Sequence, residues 1–219
     1  MAERILMNEY RSLAHEKWVN LELDHDNIFR WNVALVVVNP ESLYYGGYFK
    51  ASMTFPKNYP YSPPNFRFLR PLYHPNVYGD GTLCISILHP PGEDEMSGEL
   101  ASERWSPAQR VESVLISILS LLDDPEVSSP ANVDAGVVLR KEPARFKSIV
   151  QGDVEKSKGD IPEGYIMRSH ETTTPKKPAE VLDDQDFWAD SDAGSDVFGG
   201  SDSDEHMNFD DQETGSEED

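Results

Sequence analysis

The chain has 219 residues and a formal net charge of −21. That length suits one ordinary domain plus an appendage. The negative balance argues against a partner with a phosphate backbone, and no run of eighteen apolar residues marks a membrane span. Neither a nucleic acid nor a membrane is therefore an expected partner. The start, Met1-Ala2-Glu3-Arg4, runs into an amphipathic pattern and lacks the apolar centre of a signal peptide. With a single cysteine, Cys84, this suggests a reducing setting, cytoplasm or nucleus. The charge is uneven. Glu171 to Asp219 hold 17 acids and 2 lysines, a net of −15, and the preceding 170 residues carry −6. The tail is a polyanion whose natural counterpart is a basic protein surface.

In chain order, residues 4–18 read as a helix, with Ile5, Leu6, Tyr10, Leu13 and Trp18 at roughly helical spacing. Phe29, Trp31, Val33, Leu35 and Val37 alternate as a half-buried strand. Asn39-Pro40-Glu41-Ser42 and Gly46-Gly47 supply turns. Residues 48–55 and 65–69 alternate again, on either side of Tyr59-Pro60-Tyr61-Ser62-Pro63-Pro64, where proline excludes helix and sheet interior. Strands joined this closely imply an antiparallel meander. Residues 74–88 carry turns and little periodicity. Residues 93–104, rich in Asp and Glu, read as a solvated loop.

Ser106 as cap and Pro107 as first residue open the clearest helix. Its buried stripe is Val111, Val114, Leu115, Ile118, Leu119 and Leu122. Ile116 lies off that stripe among Ser113, Ser117 and Ser120, a face suited to a partner. Asp123-Asp124-Pro125 ends the helix, and further helices are expected near 132–140 and 143–154. The composition assigns 1–157 to a core domain, 158–170 to an extension and 171–219 to a disordered acidic tail.

Cys84 closes the stretch His74-Pro75-Asn76-Val77-Tyr78-Gly79-Asp80-Gly81-Thr82-Leu83-Cys84. One thiol can form neither an internal disulfide nor a multi-thiol metal site. It is either a small buried apolar residue or a nucleophile. A protease would pair it with a histidine base, yet no protease signature surrounds it, and His74 in a tight turn reads as structural.

His74-Pro75-Asn76 followed eight residues later by Cys84 resembles the signature of ubiquitin-conjugating enzymes. Tyr59-Pro60, Pro63-Pro64 and Trp105-Ser106-Pro107-Ala108 fit the same family in order and spacing, over about residues 1–155. The resemblance implies an α/β (α+β) fold: an N-terminal helix, a four-stranded antiparallel meander, a crossover helix and C-terminal helices. It implies that Cys84 takes ubiquitin from an activating enzyme as a thioester and passes it to a lysine. It implies no bound cofactor, with ATP consumed by the upstream activating enzyme. By the same resemblance Asn76 stabilises charge on the carbonyl oxygen, a task that sits beside holding its own loop. Ser129, in Ser128-Ser129-Pro130-Ala131-Asn132, takes the gate position where many members have Asp. Tyr61, Pro107 and Ala108 match the loops that contact RING ligases. Ile116 and Ser120 match crossover-helix positions that meet the donor ubiquitin.

Two departures point to a subgroup. Trp105 falls 21 residues after Cys84, about a dozen more than in most members. The added stretch is the acidic loop, and the acidic tail is the second departure. Together they resemble the cell-division-cycle enzymes that serve cullin–RING ligases. That resemblance implies chain building, with Asp94, Glu99 and Glu103 positioning the acceptor ubiquitin, Tyr78 beside it, and the tail on a basic cullin surface. A non-catalytic ubiquitin-binding scaffold and a carrier of another ubiquitin-like modifier are the alternatives.

Overall fold

The computed structural model describes residues 1–92 and 98–167. Helix α1 (Ala2–Leu13) leads into strands β1 (Val19–Asp24), β2 (Asn27–Val36), β3 (Tyr48–Thr54) and β4 (Asn65–Phe68). A single 3-10 turn at Ser86–Leu88 follows, then helices α2 (Val111–Asp123), α3 (Val133–Lys141) and α4 (Pro143–Lys158). The sheet order is β1-β2-β3-β4, antiparallel throughout, as expected of a meander. No described helix is long and apolar enough to cross a membrane.

The alternation read from the sequence sets the two faces of the sheet. Trp31, Val33, Leu35, Ala51, Met53, Phe66 and Phe68 point inward and are buried. Val111, Val114, Leu115, Ile118 and Leu122 of α2 are buried with them in one continuous core, which Leu6 and Leu13 of α1 join. Burial of such side chains contributes about 1.5–3 kcal/mol each.

Three expectations need correction. The first helix stops at Leu13 rather than at residue 18. Trp18 already belongs to the sheet, since its carbonyl accepts the Val36 N–H at 2.9 Å. Second, the alternation alone marks three strands, yet Val19–Asp24 forms a fourth, β1. Third, Ser106 and Pro107 do not start a helix. They form a turn closed by Gln109 N–H to the Ser106 carbonyl at 3.0 Å, and α2 begins at Val111. The reason is a remote cap. The Glu9 carboxylate of α1 accepts the Val111 N–H at 2.7 Å, and Ser113 Oγ accepts the Arg110 N–H at 3.0 Å. An anion at a helix N-terminus satisfies a free donor and complements the dipole.

Beyond α4 the chain turns back across the outer sheet face. Ile161, Tyr165 and Met167 pack on Ala34, Val36 and Tyr48. Residues 168–219, including the whole acidic tail, lie outside the described residues, as do residues 93–97.

Candidate active site

The segment around Cys84 forms no helix or strand of its own; isolated bridges, Thr82 with Arg67 of β4 and Val77 with Leu83, hold it together with buried side chains. His74 is fully buried. Its Nε2–H donates to the Leu121 carbonyl at the end of α2 at 2.9 Å, and its Nδ1 accepts the Asn76 N–H at 3.0 Å. Desolvation by burial lowers the imidazole pKa to about 4, against a smaller opposing effect of the Leu121 hydrogen bond. His74 is therefore neutral and fully occupied, so it is a strut and not a base.

Asn76 is the second tie, 2% exposed. Its Nδ2–H donates to the Glu126 carbonyl, and its Oδ1 accepts the Glu126 N–H, both at 2.9 Å. Its own carbonyl accepts the Cys84 N–H at 2.9 Å. One residue thus joins the thiol segment to the loop after α2. The Asn132 N–H donates to the Pro75 carbonyl at 2.8 Å, and Asn132 caps α3 through the Ala135 N–H at 3.1 Å. The loop carrying Ser129 is consequently pinned at Glu126 and at Asn132, with exposed Ser129 between the two anchors.

Tyr78 opens the tight turn before the cysteine. Its N–H donates to the Thr82 carbonyl at 2.8 Å, and the Gly81 N–H returns to the Tyr78 carbonyl at 2.9 Å. Gly81 sits at φ +89°, where a Cβ would lie 2.2 Å from the Phe68 carbonyl oxygen. A left-handed backbone position pressed onto a strand admits only glycine. Asp80 closes the turn by accepting from the Thr82 N–H and hydroxyl, both at 2.9 Å. The Tyr78 side chain is 45% exposed. The charge of the neighbouring Cys84, and then desolvation, raise the phenol pKa above its usual value. Tyr78 accordingly stays protonated and can donate toward the sulfur. Cys84 itself is partly exposed and free.

The described part of the acidic loop is anchored beside the thiol. Glu99 accepts from the Ser86 hydroxyl at 2.9 Å and meets His89 Nδ1 at 2.9 Å, with Arg104 Nε at 3.6 Å. Burial alone would raise its carboxyl pKa. The hydrogen bonds from His89 and Ser86, with the charges of His89 and Arg104, outweigh that and hold it below the usual range. Glu99 is turned inward, onto residues two and five positions past the cysteine. Glu103 is exposed and accepts the Leu100 N–H at 3.2 Å. Asp94 lies outside the described residues.

A second cluster stands apart from the thiol. Trp105 Nε1–H donates to the Pro60 carbonyl at 2.7 Å, tying the loop of Tyr61 to that of Pro107 and Ala108. Tyr61 is 63% exposed, and Pro107 and Ala108 are exposed too. Ile116, 47% exposed, and Ser120 share the outward face of α2. The Glu99 anchor, through Ser86 and His89, was not assigned from sequence. A polar residue two places after the thiol and a histidine before Pro90-Pro91 were its signal. Among the described residues no group of His, Cys, Asp and Glu is placed to hold a metal ion.

A four-stranded meander backed by α2, with a lone partly exposed cysteine held by an Asn-anchored loop, defines a class of acyl carriers. Residues 5–154 match the ubiquitin-conjugating enzyme family, and the chain belongs to that family. It is 49% identical over 211 residues to ubiquitin-conjugating enzyme E2-34 kDa of Saccharomyces cerevisiae, covering 90% of this chain and 70% of that one. That share is too large to lie within residues 1–170, so the likeness runs into the acidic segment. Ubiquitin-conjugating enzyme E2 7 of Arabidopsis thaliana is 53% identical over 135 residues, 62% of this chain and 81% of that one. Ubiquitin-conjugating enzyme E2 15 of Schizosaccharomyces pombe is 45% identical over 136 residues, 62% and 80% of the two chains. The protein is thus a ubiquitin-conjugating enzyme, whose partners are ubiquitin, an activating enzyme and a ligase.

Proposed function

We propose that Cys84 receives the ubiquitin C-terminus from the activating enzyme and passes it to substrate or ubiquitin lysines held by a cullin–RING ligase, building chains. The observation that carries this reading is the placement of Cys84. It is the one thiol of the chain, partly exposed, and its backbone N–H is fixed to the Asn76 carbonyl at 2.9 Å. In transfer the lysine amine attacks the thioester carbonyl. A C–N bond forms as the C–S bond breaks, the thiolate leaves, and the amine proton is given up. Asn76 has a second Nδ2–H beyond the one it gives Glu126, available to the developing oxyanion. Ser129 borders the approach to the thiol. Tyr78, Asp94 and Glu103 face the acceptor, while Glu99 fixes the base of their loop. Tyr61, Pro107 and Ala108 meet the RING, and Ile116 and Ser120 meet the donor ubiquitin.

The net −15 of residues 171–219 supports a basic cullin surface as the tail's partner, since opposite charge speeds encounter at low salt. We place the enzyme in cytoplasm and nucleus, with no cofactor of its own and ATP spent upstream. The test incubates the full chain with activating enzyme, ATP and ubiquitin. A reducible adduct should form and be absent in Cys84→Ala; an adduct that persists in Cys84→Ala refutes the assignment. Adding a cullin–RING ligase should raise transfer to lysine, and removing residues after 170 should weaken that stimulation at low salt. Unchanged stimulation at every salt concentration refutes the tail's part.

A further inference from the structure

Helix α1 carries a charge that the thiol chemistry does not use. Glu9 is half-buried on that helix, with both carboxylate oxygens engaged. Its Oε1 accepts the Tyr59 hydroxyl at 2.9 Å, and its Oε2 accepts the Val111 N–H at 2.7 Å. One acidic side chain thus joins two parts of the chain that lie far apart in sequence.

Both donors border loops described above. Tyr59 lies two residues before exposed Tyr61, and Val111 three residues after exposed Ala108. The Trp105 indole joins the same two loops directly, donating to the Pro60 carbonyl at 2.7 Å, and its ring lies 5.9 Å from that of Tyr59. Tyr59 is buried, and burial first, then the Glu9 charge, push its phenol pKa far up, so it remains a donor. The carboxylate also complements the dipole at the start of α2. Glu9 therefore fixes the spacing between Tyr61 and Pro107-Ala108.

That spacing has a use. Tyr61, Pro107 and Ala108 belong to no helix or strand that would hold them in place. Packing of α1 does not call for a carboxylate either, since Leu6 and Leu13 bury its inner face. A pair of loops held at its bound spacing before a partner arrives spares the complex the cost of ordering it.

We propose that Glu9 is a positioning residue for the ligase. It presets the distance between the Tyr61 loop and the Pro107-Ala108 loop, and so sets the ligase concentration at which transfer is stimulated. The inference rests on the reading of those loops as the ligase-binding surface.

The test loads the full chain with ubiquitin on Cys84 and follows single-turnover discharge to free lysine over a range of cullin–RING ligase concentrations. Each rate is divided by the same variant's rate without ligase, which removes any general effect on the thiol. Glu9→Ala cuts both ties. It should raise the ligase concentration for half-maximal stimulation by about three- to tenfold, the cost of ordering one or two side chains at an interface, with maximal stimulation retained. Glu9→Gln should reverse most of that rise, because its amide oxygen can accept the Val111 N–H while its amide N–H donates to the Tyr59 hydroxyl oxygen. Tyr59→Phe cuts one tie, keeps the cap of α2 and should give a smaller shift of the same kind, which tests the spacing even if Glu9→Ala does not fold. The shift should persist at high salt, which screens charge but leaves the spacing of the loops alone. Asn132→Ala, loosened at another place, should show no shift. A half-maximal concentration unmoved in Glu9→Ala and Tyr59→Phe, a shift shared by Asn132→Ala, or one lost at high salt overturns the proposal. Tyr61→Ala tests the reading beneath it. Stimulation that survives Tyr61→Ala refutes the loops as the ligase surface and this inference with them, whereas stimulation lost in Tyr61→Ala and unshifted in Glu9→Ala overturns this inference alone.

Discussion

Replacing Asn76 by Ala separates the two tasks this residue combines. The structural loss can be worked from its contacts. Two hydrogen bonds to Glu126 disappear, and a backbone N–H and C=O are left behind in a part-buried place. At roughly 1 kcal/mol per bond the loss is about 2 kcal/mol. For a chain of this size that lowers Tm by about 6 °C. The electrostatic loss is larger and of another kind, since removing one donor from a developing oxyanion costs on the order of a hundredfold in rate. Asn132→Ala is the control. It removes the cap of α3 at a comparable cost of about 1 kcal/mol and loosens the same loop from its other end, leaving the Asn76 amide in place. The assay compares thermal unfolding with single-turnover discharge of the Cys84 thioester to free lysine. Asn76→Ala should still load ubiquitin but discharge about a hundredfold more slowly, while Asn132→Ala stays within a few-fold of the unaltered chain. If discharge falls no further in Asn76→Ala than in Asn132→Ala, Asn76 is a loop anchor alone and the oxyanion assignment is wrong.

Other consequences can be read in the same way. The His74 ring, with its pKa lowered from 6.5 to about 4 by burial, should titrate by NMR only near pH 4 and show the Nε2–H tautomer above that; a midpoint between 6 and 7 refutes the strut. Because the folded value lies below the unfolded one, His74 contributes about 3 kcal/mol at pH 7. That contribution is whole above 6.5 and is lost as pH falls toward 4, which denaturant titrations across that window can check. Gly81→Ala places a Cβ against the Phe68 carbonyl at a left-handed φ, and should cost at least about 2 kcal/mol in denaturant unfolding. Glu99→Ala removes the carboxylate that ties the loop to Ser86 and His89, and should speed amide exchange across residues 100–104 by at least about tenfold. Unchanged exchange would show that the loop is held by something else.

What could be read from the sequence follows from the range over which each signal acts. The buried stripe of α2 and the alternation of β2, β3 and β4 are local patterns, and each element formed where its pattern lay. Strand β1 escaped because its hairpin carries no glycine. His25 at φ 52° and Asp26 at φ 58° make the left-handed turn with residues that seldom announce one. The displaced start of α2 has the opposite cause. Ser106 and Pro107 are good local signals, but the Glu9 carboxylate, 102 residues away from Val111, settles where the first free N–H is satisfied. A tertiary cap outweighs a local one when the helix face is already fixed by burial.

The same argument bears on the acids near the thiol. Sequence grouped Glu99 and Glu103 as equals, because a loop composition cannot say which carboxylate turns inward. The structure separates them by what they touch. Glu99 has a hydroxyl, an imidazole and a guanidinium around it, all supplied by residues between 86 and 104. Among the described residues Glu103 reaches a backbone N–H of its own turn and keeps its exposure. A carboxylate whose oxygens are already engaged must give up those partners before it can bind an incoming ammonium, whereas an exposed one gives up mainly water. Neutralising Glu103 should therefore weaken acceptor binding and raise the apparent KM for acceptor ubiquitin by a few-fold, with loading of Cys84 unaffected. Neutralising Glu99 should act on the loop first and on the acceptor through it, lowering the maximal rate as well. A Glu103 variant with an unaltered KM would remove that residue from the acceptor surface.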